Sequence, residues 1–274
     1  MNPFIKRYSM KRRTVLFSAI LLLAGAGFLF SEIRDSKTLH QQASLSQGKT
    51  VVVDNRNGNV KVLGWNKDSI DVIAEVEVRS RRHSDLERTL ESIRIKIEPK
   101  GDRLVVEADS PEAEGGSGFW DWVFGRRIQV SIDFHIRIPE RSDLNLETTN
   151  GNVNVNDVQG RLKLGSTNGN VEAEGASGTV DAETTNGNAT IRCGTFGAVD
   201  RISCRTTNGD VSAVLSDKSE AEVEISTVNG KVNCEFPVTV QGGISNNRIR
   251  GRIGQGGGTI HLSTVNGNVH LSKE

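Results

Sequence analysis

The stretch GTVDAETTNGNATIR, residues 178–192, carries the grammar of the whole chain. Val180, Ala182 and Thr184 alternate with Asp181 and Glu183 ahead of Asn186-Gly187, and Ala189 and Ile191 alternate with Thr190 and Arg192 beyond it. Alternation with period two marks a strand with one buried and one solvated face. Two short strands meeting at an Asn-Gly corner thus make one unit, and the unit recurs. T-N-G-N stands at 149–152, 167–170 and 185–188, T-N-G-D at 207–210, V-N-G-K at 228–231 and V-N-G-N at 265–268. The glycines Gly151, Gly169, Gly187, Gly209, Gly230 and Gly267 step by 18, 18, 22, 21 and 37. The last step spans two periods and predicts a degenerate copy around 247–257, while N-R-N-G-N at 55–59 reads as an outlying relative.

Two architectures fit this pattern. An Asn-Gly corner between alternating strands is the sequence cue for a type I′ hairpin, which would give an antiparallel meander. In the other, each repeat is one coil of a parallel β-solenoid, with about 18–22 residues per coil. The near-constant spacing favours the solenoid, because a ladder in register needs equal coils. The small inward residues Ala173, Ala182, Ala189 and Ala213 suit its narrow core. Asn150, Asn168, Asn186, Asn208, Asn229 and Asn266 would then stack at ~4.8 Å and form a carboxamide ladder like those of cross-β stacks. The glycine after each would take a positive φ. The most conspicuous motif therefore has a structural role.

Other segments divide the chain further. Residues 1–13 are basic (Lys6, Arg7, Lys11, Arg12, Arg13) and 14–30, TVLFSAILLLAGAGFLF, are uncharged. That order predicts a membrane anchor with a cytoplasmic basic flank, with a cleaved signal peptide as the alternative. Residues 31–48 read as a polar linker, 49–139 as a β-rich N-terminal cap and 140–274 as the solenoid repeats. Within the cap, Ser84 is the expected N-cap of a short helix, with Glu87 completing a capping box. Phe119, Trp120, Trp122 and Phe124 cluster in a Gly-rich stretch and form the candidate contact loop, for a membrane interface or a partner, unless they fold over the cap.

Composition narrows the function. Glycine at 29 and aromatics at 5% suit many strands and tight turns in a chain of 274 residues. Lys+Arg and Asp+Glu are equal at 34, which excludes a strongly basic nucleic-acid binder. The five histidines show no metal-ligand spacing, and His261 and His270 fall at solvent-facing positions. No nucleophile elbow, zinc-protease helix or phosphate loop occurs, so neither a catalytic residue nor a cofactor or metal site is assigned. The outward acids Glu172, Glu174, Asp181, Glu183, Glu222 and Glu224 read as solvated, with Lys163, Arg192 and Arg205 among them. Cys193 and Cys204 flank the longest single-period step, so a disulfide between them could pin an enlarged loop, with Cys234 left over. The last repeat, Ile260 to Leu271, has only Ser-Lys-Glu after it. An uncapped terminal coil would dock a second copy or a partner strand.

The repeated T-[TV]-N-G-[ND]-[VA], the H-I-R-I-P-E at 135–140 and the closing GGGTIHLSTVNGNVHL at 256–271 resemble the bacterial putative-adhesin β-solenoid family, the domain-of-unknown-function 4097 type, similar to head-GIN domains. The resemblance covers roughly residues 48–274. It implies a right-handed β-solenoid and an envelope location, with no catalytic set to carry over. The expected function is a non-catalytic, membrane-anchored adhesion or binding module with an envelope-protein or glycan partner. A structural or regulatory envelope protein working through assembly is the alternative, and a polysaccharide-active enzyme ranks below both.

Overall fold

The computed structural model describes residues 6–7, 32–109, 123, 128–194, 196, 200–240 and 245–274. The apolar stretch 14–30 and the aromatic loop residues Phe119, Trp120, Trp122 and Phe124 lie outside the described residues. Among the described residues, no helix is long and apolar enough to cross a membrane.

Among the described residues, two 11-stranded sheets face each other across one core. Each coil contributes one strand to each sheet. In chain order the coils are Thr50–Asn57 with Val60–Trp65, Asp143–Asn150 with Val153–Asn156, Gln159–Asn168 with Val171–Glu174, and Ser177–Asn186 with Ala189–Cys193. Coils five to seven are Arg201–Asn208 with Val211–Leu215, Ala221–Asn229 with Val232–Cys234, and Gly258–Asn266 with Val269–Lys273. All pairings between coils are parallel, which establishes the solenoid and sets the hairpin meander aside. The N-R-N-G-N relative at 55–59 is the corner of coil one, with Asn57 in register with Asn150.

Register explains the composition of the core. Leu144, Leu162, Val180, Ile202, Ile260 and Val223 form one inward column. Val153, Val171, Ala189, Val211, Val269 and Val232 form another on the facing sheet. Burying each such aliphatic side chain contributes about 1.5–3 kcal/mol. A one-residue slip would turn every column outward, so the pattern also holds the register.

The coils do not stack in chain order. Coil seven lies between coils five and six: Asn266 is in register with Asn208 on one side and with Asn229 on the other. The last repeat is therefore not an open terminal coil, and the docking edge expected there is covered on both sides. Residues 247–257 are not a degenerate coil either. Arg248–Ile253 runs antiparallel to Ala221–Asn229, pairs with Val238–Val240 and caps that end of the stack.

At the other end, Ile33–Ser44, Ser69–Ser80 and Gln129–Pro139 form an antiparallel sheet extension joined to Val60–Trp65. The stretch 31–48 is thus not a linker. Its strand Ile33–Ser44 pairs along its whole length with Ser69–Ser80. Its apolar alternation is weak because its one fully buried side chain is Lys37, whose Nζ donates to the Ile93 carbonyl at 2.7 Å, while Leu39 and Ala43 on the same face pack against the core only in part. A two-residue strand, Lys6–Arg7, pairs antiparallel with Gln42 and Gln41. The other sheet ends in the hairpin Arg94–Lys100 and Arg103–Asp109. The cap region therefore begins outside coil one rather than at residue 49. The helix His83–Ser92 buries Leu86, Thr89 and Leu90; its N-cap is Arg82 with no side-chain cap, not Ser84. Glu87 instead faces His83 at 3.2 Å, one turn away.

Candidate interaction surface

The Asn-Gly corners line up along one edge of the stack and carry three ladders. In the first, each carboxamide Nδ2 donates to the Oδ1 of the coil below. Asn150 donates to Asn57 at 2.7 Å, Asn168 to Asn150, Asn186 to Asn168 and Asn208 to Asn186 at 2.9 Å, then Asn266 to Asn208 and Asn229 to Asn266 at 2.8 Å. All six asparagines expected in the ladder are in it, and Asn57 extends it by a rung.

The second ladder runs through the residue after each glycine. The backbone N–H of Asn170 donates to Oδ1 of Asn152, that of Asn188 to Asn170, that of Asp210 to Asn188 and that of Asn268 to Asp210. The third lies two residues before each ladder asparagine and was not apparent from the motif. Ser166, Thr184, Thr206, Thr264 and Thr227 are buried and donate their hydroxyls at 2.8–2.9 Å to the corner-glycine carbonyl of the coil next to them in the stack. The recurrence of Thr or Ser at that offset was the available signal.

These bonds draw the corners so close that only glycine fits. A Cβ on Gly151, Gly169, Gly187, Gly209, Gly230 or Gly267 would lie 1.9–2.1 Å from the neighbouring glycine oxygen. Close contact is one demand and backbone angle the other. The φ values of 151–157° at Gly169, Gly187, Gly209 and Gly267, and of 114° at Gly58, lie in the positive range that side-chain-bearing residues rarely adopt.

The ladder edge ends in an open groove of about 1610 Å³ between coil one and the N-terminal sheet extension. Asn57, Gly58, Asn59, Asn150 and Gly151 line one side; Glu75, Glu77, Arg79, Arg81, Arg82 and Asp85 contribute charge across it, with Gln129 and Asp133 between. Asp133 is tied to the corner, accepting from the Asn59 backbone N–H at 2.6 Å and its Nδ2 at 3.1 Å. Glu32, which follows the apolar stretch 14–30 closely in sequence, and Ile128, which follows the aromatic segment in sequence, also line the groove.

The remaining sequence candidates separate. Glu172 accepts from Asn154 at 3.1 Å and lies 4.0 Å from Arg192. Glu224 pairs with Arg248 at 2.7 Å and lies 3.8 Å from His261. Glu147 pairs with Lys163 at 2.9 Å, and the proximity of Glu147 adds to the burial that raises the Asp54 carboxyl above its usual range. Cations thus interleave with the acids on the outer faces. Among the described residues, no cluster of His, Cys, Asp or Glu could hold a metal ion.

The cysteines are free, so the expected Cys193–Cys204 disulfide is not formed. Each occupies an inward core position: Cys193 is in register with Leu215 and Cys204 with Ala182 and Leu262. Burial pushes the Cys193 thiol up to about 12 and raises that of Cys204 further.

Comparison with known proteins places this geometry. The Toastrack DUF4097 family matches residues 31–272. Among solved structures, a putative cell adhesion protein from Clostridium sporogenes is 13% identical over 87% of this chain and 100% of its own, with a TM-score of 0.44. A putative adhesin from Bacteroides fragilis is 11% identical over 87% of this chain and 97% of its own, with a TM-score of 0.27. A putative lipid binding protein from Parabacteroides distasonis is 11% identical over 86% of this chain and 96% of its own, with a TM-score of 0.30. No curated protein matches the chain. With its stacked Asn-Gly corners and its match along nearly the whole length, the chain belongs to the Toastrack DUF4097 family.

Proposed function

We propose that this protein is a non-catalytic binding module of the bacterial envelope, exported and displayed on a membrane tether, that holds a polar polymer, a glycan, in the groove at the end of its asparagine ladder. The observation that carries this reading is the groove lining. Carboxamides (Asn57, Asn59, Gln129), guanidinium groups (Arg79, Arg81, Arg82) and carboxylates (Glu75, Glu77, Asp85) meet there on a rigid stack. Such a mixture of fixed donors and acceptors matches the hydroxyls of a sugar better than an apolar ligand.

The tether reading places residues 14–30 in the membrane, and Glu32 in the lining sets the groove at the tethered end. Insertion of 14–30 and the pairing of Lys6–Arg7 with Gln41–Gln42 exclude one another, because a spanning segment carries Lys6 to the far side of the bilayer. In the anchored protein the outer edge of Ile33–Ser44 is therefore released from that contact.

The test is a glycan array probed with the full chain in detergent. Binding that falls at least tenfold on Arg81→Ala with Gln129→Ala, at unchanged melting temperature, supports the reading. Binding that these substitutions leave intact, or an array with no signal, contradicts it. Trp120→Ala with Trp122→Ala on the same array tests the aromatic segment that precedes Ile128 in sequence.

A further inference from the structure

The out-of-order position of coil seven means that the chain builds a slot before it makes the piece that fills it. Coils two, three and four are joined by the short connections 157–158 and 175–176. The connection 194–200 joins the adjacent coils four and five, whereas coil five reaches coil six through the shorter 216–220, whose Ser219 N–H turns back onto the Ser216 carbonyl at 3.0 Å; register rather than length shows the level between them. That path crosses one empty level. At ~4.8 Å per level, coils five and six stand about two spacings apart, and only an inserted coil satisfies both of their facing edges.

Coil seven fills the level with interactions that are the same in kind on both sides. Asn266 donates to Asn208 and accepts from Asn229, each at 2.8 Å. Thr264 donates to the Gly209 carbonyl at 2.9 Å, and the Gly267 carbonyl accepts from Thr227 at 2.8 Å. On the facing sheet, Val269 and Leu271 stack between Val211 and Ala213 on one side and Val232 and Cys234 on the other. None of these contacts depends on which chain supplies the coil. The link to the preceding cap strand is residues 254–257, where Gly254, Gly256 and Gly257 have φ of 60°, 83° and 145°. A glycine-rich link of this kind changes course at little steric cost.

We infer that a second copy of the chain supplies coil seven to this slot, so that two molecules exchange Gly258–Lys273 through the 254–257 hinge and form a reciprocal dimer. Both partners regain every ladder and core contact of the monomer, and what opposes exchange is the concentration-dependent cost of bringing two chains together. Exchange takes place while the slot is still empty, during folding, because removing a seated coil breaks two strand interfaces in each sheet.

Mixed-chain cross-linking reads the exchange directly. Ser212 and His270 are register partners on the outer face of coils five and seven. One full-length chain carrying Ser212→Cys and another carrying His270→Cys are unfolded, mixed and refolded together in detergent. The expected result is a disulfide-linked dimer that forms in the mixture, exceeds what either variant gives alone and increases with protein concentration during refolding. The unsubstituted chain, refolded over the same range, should give a dimer fraction set by that concentration and unchanged on dilution. A chain that is monomeric by light scattering at every refolding concentration, with no covalent dimer in the mixture, overturns the inference.

Discussion

Asn266 donates its carboxamide to Asn208 at 2.8 Å across a sequence separation of 58 residues, while Asn229, which precedes it in the chain, lies on its far side. This contact shows how the fold is closed. The last repeat to emerge completes the interior of both sheets, and a separate antiparallel hairpin covers the end. The polar edge and the apolar core stay in register because the same coil serves both.

Gly187→Ala should lower stability sharply, because a Cβ there lies 2.1 Å from the Gly169 oxygen and the backbone must shift. The expected cost is at least ~1–3 kcal/mol. Gly165→Ala is the control. Its Cβ meets nothing nearer than 3.7 Å, and it should be neutral or stabilise by up to about 1 kcal/mol. Urea melts of the two variants check the contrast.

Asn186→Ala removes one donated and one accepted ladder bond, both at 2.9 Å, whereas Asn229→Ala at the end of the ladder removes the bond to Asn266. At an exposed edge each bond contributes toward the low end of ~0.5–1.5 kcal/mol. The interior variant should therefore lose about twice as much as the terminal one. Equal losses in parallel urea titrations would show that the ladder is not additive along the stack.

The buried thiols make the fold sensitive to alkali. Unfolded cysteines lose their protons near 9.0, whereas burial holds Cys193 protonated to about 12 and Cys204 beyond its ordinary range. Above pH 9.0 the unfolded state thus binds fewer protons than the native state, so stability falls as pH rises through the window from 9.0 to about 12. Cys204→Val should flatten that fall, and in the native protein at pH 8 a thiol reagent should label Cys193 and Cys204 only as fast as the chain unfolds. Rapid native labelling of both would contradict their burial.

Asp54 gives the same sign for a different group. Burial first, and then Glu147, raise its carboxyl, so native Asp54 holds its proton at pH values where the unfolded chain has lost it. That contribution to stability is lost as pH rises through the native value. Asp54→Asn should therefore melt higher than the parent at pH 7, with the difference closing below the ordinary carboxylate value of 3.8.

Much of this was legible in the sequence because the solenoid repeats its chemistry. Asn150, Asn168 and Asn186 announced the ladder, and Val180 and Ala182 announced the inward columns. Three things were not legible, each for a physical reason. The position of coil seven left no trace because Thr264, Asn266 and Gly267 are chemically the same as their counterparts in coils five and six. The strand Ile33–Ser44 was hidden because an edge strand can satisfy its ladder while burying one lysine stem instead of an apolar row. The groove was hidden because Asn57, Arg81 and Gln129 converge only when coil one meets the sheet extension.

The insertion of coil seven is tested most directly by two designed disulfides in the full chain. Ser212 is in register with His270, and His270 separates it from Asn233. The arrangement described here predicts that Ser212→Cys with His270→Cys forms a bond readily, whereas Ser212→Cys with Asn233→Cys does not. The opposite outcome, a ready bond between positions 212 and 233 and none between 212 and 270, would mean that the coils stack in simple chain order.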